Sequence, residues 1–369
     1  MATGWPMKTT YANGDVYSAS DVNDITGTIN QLGSSVAYAA GKNDIINGDF
    51  RINQRAFSST TTDQAYTFDR WMTTVFNWST GTVTYSAQTF TPGAAPVAGY
   101  EGVNFLRCVT ASLTGASGYA TITQRIEDVR TFAGQTVTMS LWAKAGSGTP
   151  SLSLEMVQNF GTGGSTRAPI AASVKKFTLS TSWTRYSFSF TVPSVSGKTI
   201  GTGSMLEFFV WYAAGSDYNS RTDSIGIQNG TFDIWGVQVE QGSTATAFQT
   251  ATGTIQGELA ACQRYYFRAG GQNAFQAFGQ GIGSSSTQAV IQVVLPVQMR
   301  VGPGAIDFSS LSVRDTATFT AVTGVTDAGS SANLALVNAA VASGLTQYRP
   351  YFLQVNNNIN AYIGFSAEL

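Results

Sequence analysis

NDIINGDFRINQRAF, from Asn43 to Phe57, and NGTFDIWGVQVEQGSTATAF, from Asn229 to Phe248, are the two stretches on which the fold turns. The first continues through a polar spacer into YTFDRW, which ends at Trp71. Each opens on a turn and passes into alternating apolar and polar residues. Ile45, Asn47, Asp49 and Arg51 interleave with Ile46, Phe50 and Ile52, while Phe232, Ile234, Val237 and Val239 alternate with Asp233, Gln238 and Glu240. A period of two marks half-buried strands. The two stretches are therefore expected to be the opening and closing strands of one β-sandwich over residues 42–250.

Between them lie further short alternating runs, among them Asn104–Thr110, Tyr119–Arg125, Thr136–Lys144, Ser151–Gln158, Trp183–Val192 and Met205–Tyr212. Turn-rich breaks such as Pro92-Gly93, Gly146–Pro150 and Gly161–Gly164 separate them. Strands at this spacing predict an antiparallel sandwich or jelly roll, and the alternating helices of a parallel sheet are missing.

Outward from the sandwich the pattern changes on both sides. Residues 1–19 read as an extended arm. From Ser20, Val22, Ile25, Ile29, Leu32, Val36 and Ala39 follow at heptad spacing, so residues 1–41 comprise an arm and a short helix. Two readings of that seam stand side by side, self-association and packing on its own sandwich. Gly27 and Gly33 leave the helix marginal alone. On the C-terminal side, Ile255, Leu259, Cys262 and Tyr266 fall on one helical face, predicting a linker helix over 251–268. Alternation in Ala289–Val297, Ala317–Val322, Tyr351–Val355 and Asn360–Ala367 predicts a second, smaller antiparallel sandwich over 269–369. Asn356-Asn357-Asn358 reads as a hairpin turn between the last two strands. Ser331–Ser343, rich in Ala and Leu, reads as a short helix or a loop.

Composition narrows the function. Only 11% of the 369 residues are charged, against roughly 25% in an ordinary soluble protein. Apolar residues make up 43% and aromatics 12%, which is not a disordered profile. The net charge is −1 and the basic residues are scattered, which argues against nucleic acid as a partner. Histidine is absent, so Ser-His-Asp and Cys-His nucleophiles are excluded. Cys108 and Cys262 stand far apart and form no metal spacing, so buried free thiols are expected. No apolar run reaches the ~20 residues of a membrane span. The opening MATGWPMKTTYANGD has no signal-peptide hydrophobic region, so synthesis in the cytosol is expected.

In order along the chain, NDIINGDF, YTFDRW, SLWAKAGSG, QNFGTGGS, FTVPSVSGKTIGTG and FDIWGVQVEQGSTATAF resemble the sandwich domain common in bacteriophage tail fibres and related virion appendages. ELAACQRYYFR, LPVQMR, the N-terminal YANGDVYSASDVNDITGTIN and the closing IGFSAEL fit the same family. That domain is similar to the jelly-roll carbohydrate-binding modules of polysaccharide-degrading enzymes. The resemblance implies a structural virion protein, made in the host cytoplasm. It implies a homotrimer, docked to other virion proteins through its N-terminal arm and projecting its β domains toward host surface glycans. A capsid-attached fibre, and a decoration or spacer protein without a ligand, share every one of these features.

Three chemistries follow for the side chains. Sugars stack on aromatic faces beside uncharged polar groups, and Trp142, Phe160, Trp211, Tyr212 and Tyr218 are the candidates, with Gln158, Asn159 and Asn219 as polar partners. Trp211 and Tyr212 are adjacent on one strand and so face opposite sides. A structural calcium ion, which the jelly-roll resemblance implies between first and last strands, would need oxygen ligands, and Asn47, Asp49 and Asp233 are available. Trp235, however, stands where the sugar modules typically carry an Asp. Glu155 and Glu207 are the carboxylates of a glycan-cleaving alternative, with Asp217 and Asp223 in a solvated loop. Neither a catalytic residue nor a cofactor is assigned.

Overall fold

The computed structural model describes residues 41–369. The N-terminal seam of Val22, Ile25, Ile29, Leu32 and Val36 lies outside the described residues. In chain order the first strands are β1 (Ser59–Thr60), β2 (Met72–Phe76), β3 (Thr80–Thr89), β4 (Asn104–Thr114), β5 (Tyr119–Glu127) and β6 (Thr136–Ala145). They are followed by β7 (Ser151–Asn159), β8 (Ala168–Pro169), β9 (Lys175–Thr178), β10 (Thr184–Thr191), β11 (Met205–Ala214) and β12 (Gly230–Gln241). One sheet runs β1-β3-β4-β12-β6-β10, and the second runs β2-β5-β11-β7-β8 with β9 also paired to β7. All these pairings are antiparallel, and the two sheets face each other as a jelly-roll sandwich.

Alternation along each strand builds the core. Val137, Met139, Leu141 and Ala143 of β6 point inward against Leu152, Leu154 and Met156 of β7 and Leu206, Phe208 and Val210 of β11. At roughly 25 cal/mol per Å² of apolar surface removed from water, this layer is the main stabilising term of the sandwich.

The closing stretch forms β12 as expected, but the opening stretch is no strand. Asn47 and Phe50 adopt φ values of 57° and 56°, so Asn43–Ile52 is an irregular, largely buried strap, and the half-buried to exposed chain beyond it contributes only the two-residue β1 before Trp71. It lies along β12, with Asp44 N–H donating to Val239 O at 3.0 Å and Val237 N–H donating to Gly48 O at 2.9 Å. A Cβ at Gly48 would sit 2.2 Å from Val237 O, so this approach requires glycine. The alternation read as a strand is instead a burial pattern imposed by the strap.

A short helix α1 (Asn219–Thr222) lies beside β7 and β11, and α2 (Ile255–Gln263) follows the sandwich. Thr254 caps α2, its hydroxyl accepting from Gly257 N–H at 3.1 Å. The buried side chains of α2 are Glu258 and Cys262, and Tyr266 belongs to the next strand rather than to the helix. Glu258 turns in because its carboxylate accepts from Asn47 N–H at 2.8 Å and Thr252 N–H at 2.7 Å. Both cysteines are free and buried.

The C-terminal strands are β13 (Tyr266–Gly270), β14 (Ala277–Gly283), β15 (Gln288–Val294), β16 (Ala305–Ser309) and β17 (Leu311–Arg314). The last four are β18 (Phe319–Asp327), β19 (Leu334–Val341), β20 (Pro350–Val355) and β21 (Tyr362–Ser366). Six of them close into a barrel, β14-β15-β19-β18-β17-β20, with β13-β21-β16 as a separate three-stranded sheet. The unit expected to be a second sandwich is antiparallel as read, but its edges are joined. Ser331–Ser343 is mostly strand. Ala335, Val337, Ala339 and Val341 all point into the barrel, and that burial overrides the helical preference of Ala and Leu. The Asn356–Asn358 run is not a hairpin either, since β20 pairs with β14 and β17 while β21 pairs with β13 and β16. It carries the chain from the barrel to the three-stranded sheet.

The C-terminal tail and the junction between α2 and β13 both tie the two units together. Glu368 pairs with Arg70 and Arg55, Arg264 pairs with Glu127 at 2.9 Å, and Arg70 lies 3.3 Å over the Tyr265 ring.

Candidate functional site

The outward face of the second sheet carries an open cleft of about 280 Å³. Its floor follows from register. Met72, Thr123, Phe209 and Glu155 lie side by side across β2, β5, β11 and β7. Thr74, Thr121, Trp211 and Ser153 form the next row. Because strand side chains alternate, Glu207, Phe209 and Trp211 share this face while Leu206, Phe208 and Val210 fill the core.

Trp211 is the centre of an aromatic cluster. Its ring lies 5.6 Å from Tyr119, 6.0 Å from Phe209 and 5.7 Å from Tyr218, and Tyr119 and Tyr218 meet edge-on at 4.8 Å. Only 1% of Trp211 is exposed, whereas Tyr119, Phe209 and Tyr218 are half-buried and present surface. Offset and edge-on aromatic contacts of this kind add about 1 kcal/mol each beyond their area.

Two arginines reach over the cluster. Arg221, from α1, donates from Nε to Glu155 Oε1 and from Nη2 to Glu155 Oε2, each at 2.7 Å, and its guanidinium sits 5.0 Å from the Trp211 ring. Trp211 Nε1–H donates to the same Oε2 at 3.1 Å. Arg167 Nε donates to Glu207 Oε2 at 2.6 Å, and Asn159 Nδ2 donates to Oε1 at 3.1 Å. Burial pushes the Glu155 carboxyl above its usual range, and the Arg221 hydrogen bonds and charge oppose that shift. Each carboxylate thus has its own arginine. They brace the face rather than stand as a free acid and base across a glycosidic bond.

The structure divides the candidate sugar ligands. Trp211 and Tyr218 pack together at the cleft's edge, but Trp211 is sealed under its neighbours and offers no open ring face, a correction to its place among the candidate ligands, whereas Tyr218 keeps some exposed surface. Trp142 stands on the outer face of the other sheet, opposite Arg185 and Trp235, and shares no platform with them. Phe160 and Tyr212 are corrections: both are fully buried in the core, so neither offers a ring face to a ligand. Tyr212 is turned inward by the same alternation that turns Trp211 outward, and packs on Tyr85 at 5.9 Å. Of the polar partners, Gln158 is buried and donates to Pro193 O. Tyr119, Phe209, Gln64, Met72 and Arg167 were not singled out from the sequence. Phe209 was within reach of it, two residues from Trp211 and so on the same face.

The calcium candidates do not converge. Asn47 is consumed by Ile52 N–H, Ile52 O and Asp69 O. Asp49 accepts from the Tyr100 hydroxyl at 2.7 Å and lies 3.3 Å from Arg51 Nε. Asp233 takes Arg107 in two hydrogen bonds, at 2.7 and 2.9 Å. Among the described residues no group of three or more metal-ligating side chains is assembled.

Residues 122–212 match a carbohydrate-binding domain family. The match covers about a quarter of the chain, taking in β7 and most of β5 and β11 of the cleft's sheet and leaving out β2. Among solved structures, the chain is similar to a family 11 carbohydrate-binding module from Clostridium thermocellum, with 13% identity and a TM-score of 0.30 over 52% of this chain and 99% of that one. The xylan-binding domain from Paenibacillus barcinonensis Xyn10C aligns with 11% identity and a TM-score of 0.28, over 52% of this chain and 99% of that one. The enzymatically active domain of bacteriophage CBA120 tailspike protein 4 aligns with 16% identity and a TM-score of 0.31, over 54% of this chain and 21% of that one. No curated protein matches the sequence.

Proposed function

We propose that the chain is a non-catalytic glycan-recognition protein of a bacteriophage particle, a tail fibre or receptor-binding fibre. Its sandwich takes host-surface saccharide in the cleft of the second sheet. The observation that carries this reading is the aromatic cluster of Tyr119, Phe209, Trp211 and Tyr218 on an open sheet face, almost all within or beside the carbohydrate-binding match. A pyranose ring stacks on the exposed surface of Tyr119 and Phe209, with Gln64 and the arginines as hydrogen-bond partners. The virion placement rests on the ordered motifs from YANGDVYSAS to IGFSAEL. In this reading the Val22–Val36 seam assembles three chains, and the arm docks to the particle.

The test is glycan binding by the full chain against host envelope polysaccharides, beside Tyr119→Ala and Phe209→Ala. Loss of one stacking contact is expected to weaken binding about fivefold to tenfold. Wild-type protein that binds no envelope glycan, or variants that bind as wild type does, would reject the cleft as the site. Cleavage of a bound glycan by the wild-type protein would reject the non-catalytic role.

A further inference from the structure

The barrel carries a second groove, about 340 Å³, on its outward face between β15, β14 and β20. Register places Gln292, Gln280 and Phe352 side by side across the three strands. Phe278 and Val294 flank this row, and Phe278 stands where the β14–β20 pairing skips a residue, at a bulge. Bulges of this kind re-aim a side chain. Phe352 is 41% exposed and Val294 is 71% exposed, and both glutamines are exposed. None of the residues lining the groove is charged. Arg314, the nearest charge in the row, is Phe352's neighbour on its other side and lies 5.8 Å from that ring.

We propose that this groove is a second carbohydrate site, independent of the sandwich cleft, and that it takes an uncharged hexose unit of a glycan. A ring face with apolar C–H groups needs an exposed aromatic, which Phe352 supplies, with Phe278 and Val294 as walls. The equatorial hydroxyls then need groups that both donate and accept, which two adjacent carboxamides provide and an apolar protein partner would leave unpaired. An anionic sugar would need a cation in the groove, and none lines it. The occupant is therefore a neutral saccharide rather than an acidic one or a second copy of the chain.

The experiment titrates neutral hexose oligosaccharides (β-1,4-glucan, α-mannan and β-galactan fragments) into the full chain carrying Phe209→Ala, which weakens the sandwich cleft. Phe352→Ala and Gln280→Ala are then added separately, with near-ultraviolet circular dichroism to confirm an unchanged fold. Residual binding that is insensitive to salt and falls about tenfold with either substitution supports the site. Three results overturn it: no neutral saccharide bound by the Phe209→Ala protein, binding untouched by both barrel substitutions, or a drop in solution mass with Phe352→Ala. The last would mean that the face joins copies of this chain. Binding lost with Phe352→Ala but unaffected by Phe209→Ala or Tyr119→Ala in the wild-type background would sink the cleft and leave the barrel site standing.

Discussion

The sandwich cleft and the barrel groove are both built on an outward sheet face that carries aromatics, yet they are held in opposite ways. In the cleft, Trp211 is sealed beneath Tyr119, Phe209 and Tyr218, and two arginine–carboxylate pairs lie across the floor. In the barrel groove, Phe352 and Val294 stand open to water with uncharged amides between the strands. The difference teaches which aromatics are structure and which are surface. A ring that anchors a buried ion pair is part of the core even when it lies on the outer face.

Truncating the two rings should separate these roles most sharply. Trp211→Ala removes a sealed ring and leaves Glu155 without its indole donor, so a loss of about 4 kcal/mol in unfolding free energy is expected by urea denaturation. Phe352→Ala, on a ring already 41% exposed, should cost about 1 kcal/mol or less. Equal losses would erase the distinction.

The ion pairs give the next largest effect. Arg221→Ala leaves the buried Glu155 charge with one hydrogen bond from Trp211, and about 3 kcal/mol should be lost. Adding Glu155→Gln should restore most of it, because the uncompensated charge is gone. If the double variant is as unstable as the single, the arginine acts through packing on Trp211 and Phe209 rather than through its charge.

How far the sequence disclosed this contrast is uneven. Period-two alternation located most strands, including β12, and placed Trp211 and Tyr212 on opposite faces. It failed on Asn43–Ile52, where the same alternation arises from a strap with left-handed residues at Asn47 and Phe50. It also failed on β19, whose Ala- and Leu-rich sequence gives no helix because the barrel buries every second residue. Within the site, alternation could give the face of Glu207, Phe209 and Trp211 but not their partners. Arg167 and Arg221 arrive from β8's approach and from α1, and no spacing rule links them to β7 and β11. Phe160, just past the end of β7, and Tyr212, within β11, are misplaced for a related reason: an aromatic in or beside a strand carries no mark of which sheet face is the interior.

Between the two regions lies the C-terminal tail, and Glu368 tests whether they respond as one. Its carboxylate is buried between Arg55 and Arg70, so Glu368→Ala leaves two neighbouring cations of the sandwich without the carboxylate that the tail brings across the seam. A loss of about 2 kcal/mol is expected, with the fluorescence of the sandwich tryptophans and hydrogen exchange of barrel amides unfolding at different urea concentrations. A single coincident transition in the variant would show that α2 and β13 couple the units without the tail.

The smallest effect contrasts the acids of the two units. Burial raises the Asp44 carboxyl to about 6, whereas backbone N–H donors from Thr318 and Ala317 hold the Asp315 carboxyl below its usual range. For Asp44 the folded state keeps its proton from about pH 4 to 6 while the unfolded chain has lost it, so stability falls as pH rises through that window and stays lower above it. For Asp315 the sign reverses, and stability is lost only as pH drops below the usual aspartate range. Asp44→Asn should therefore stabilise the protein by about 1 kcal/mol at pH 7 and leave it unchanged near pH 4. Urea midpoints at the two pH values check this. A variant no more stable than wild type at pH 7 would mean that water reaches Asp44 in the folded protein, and the strap is then less tightly seated on β12 than its hydrogen bonds to Val239 and Val237 imply.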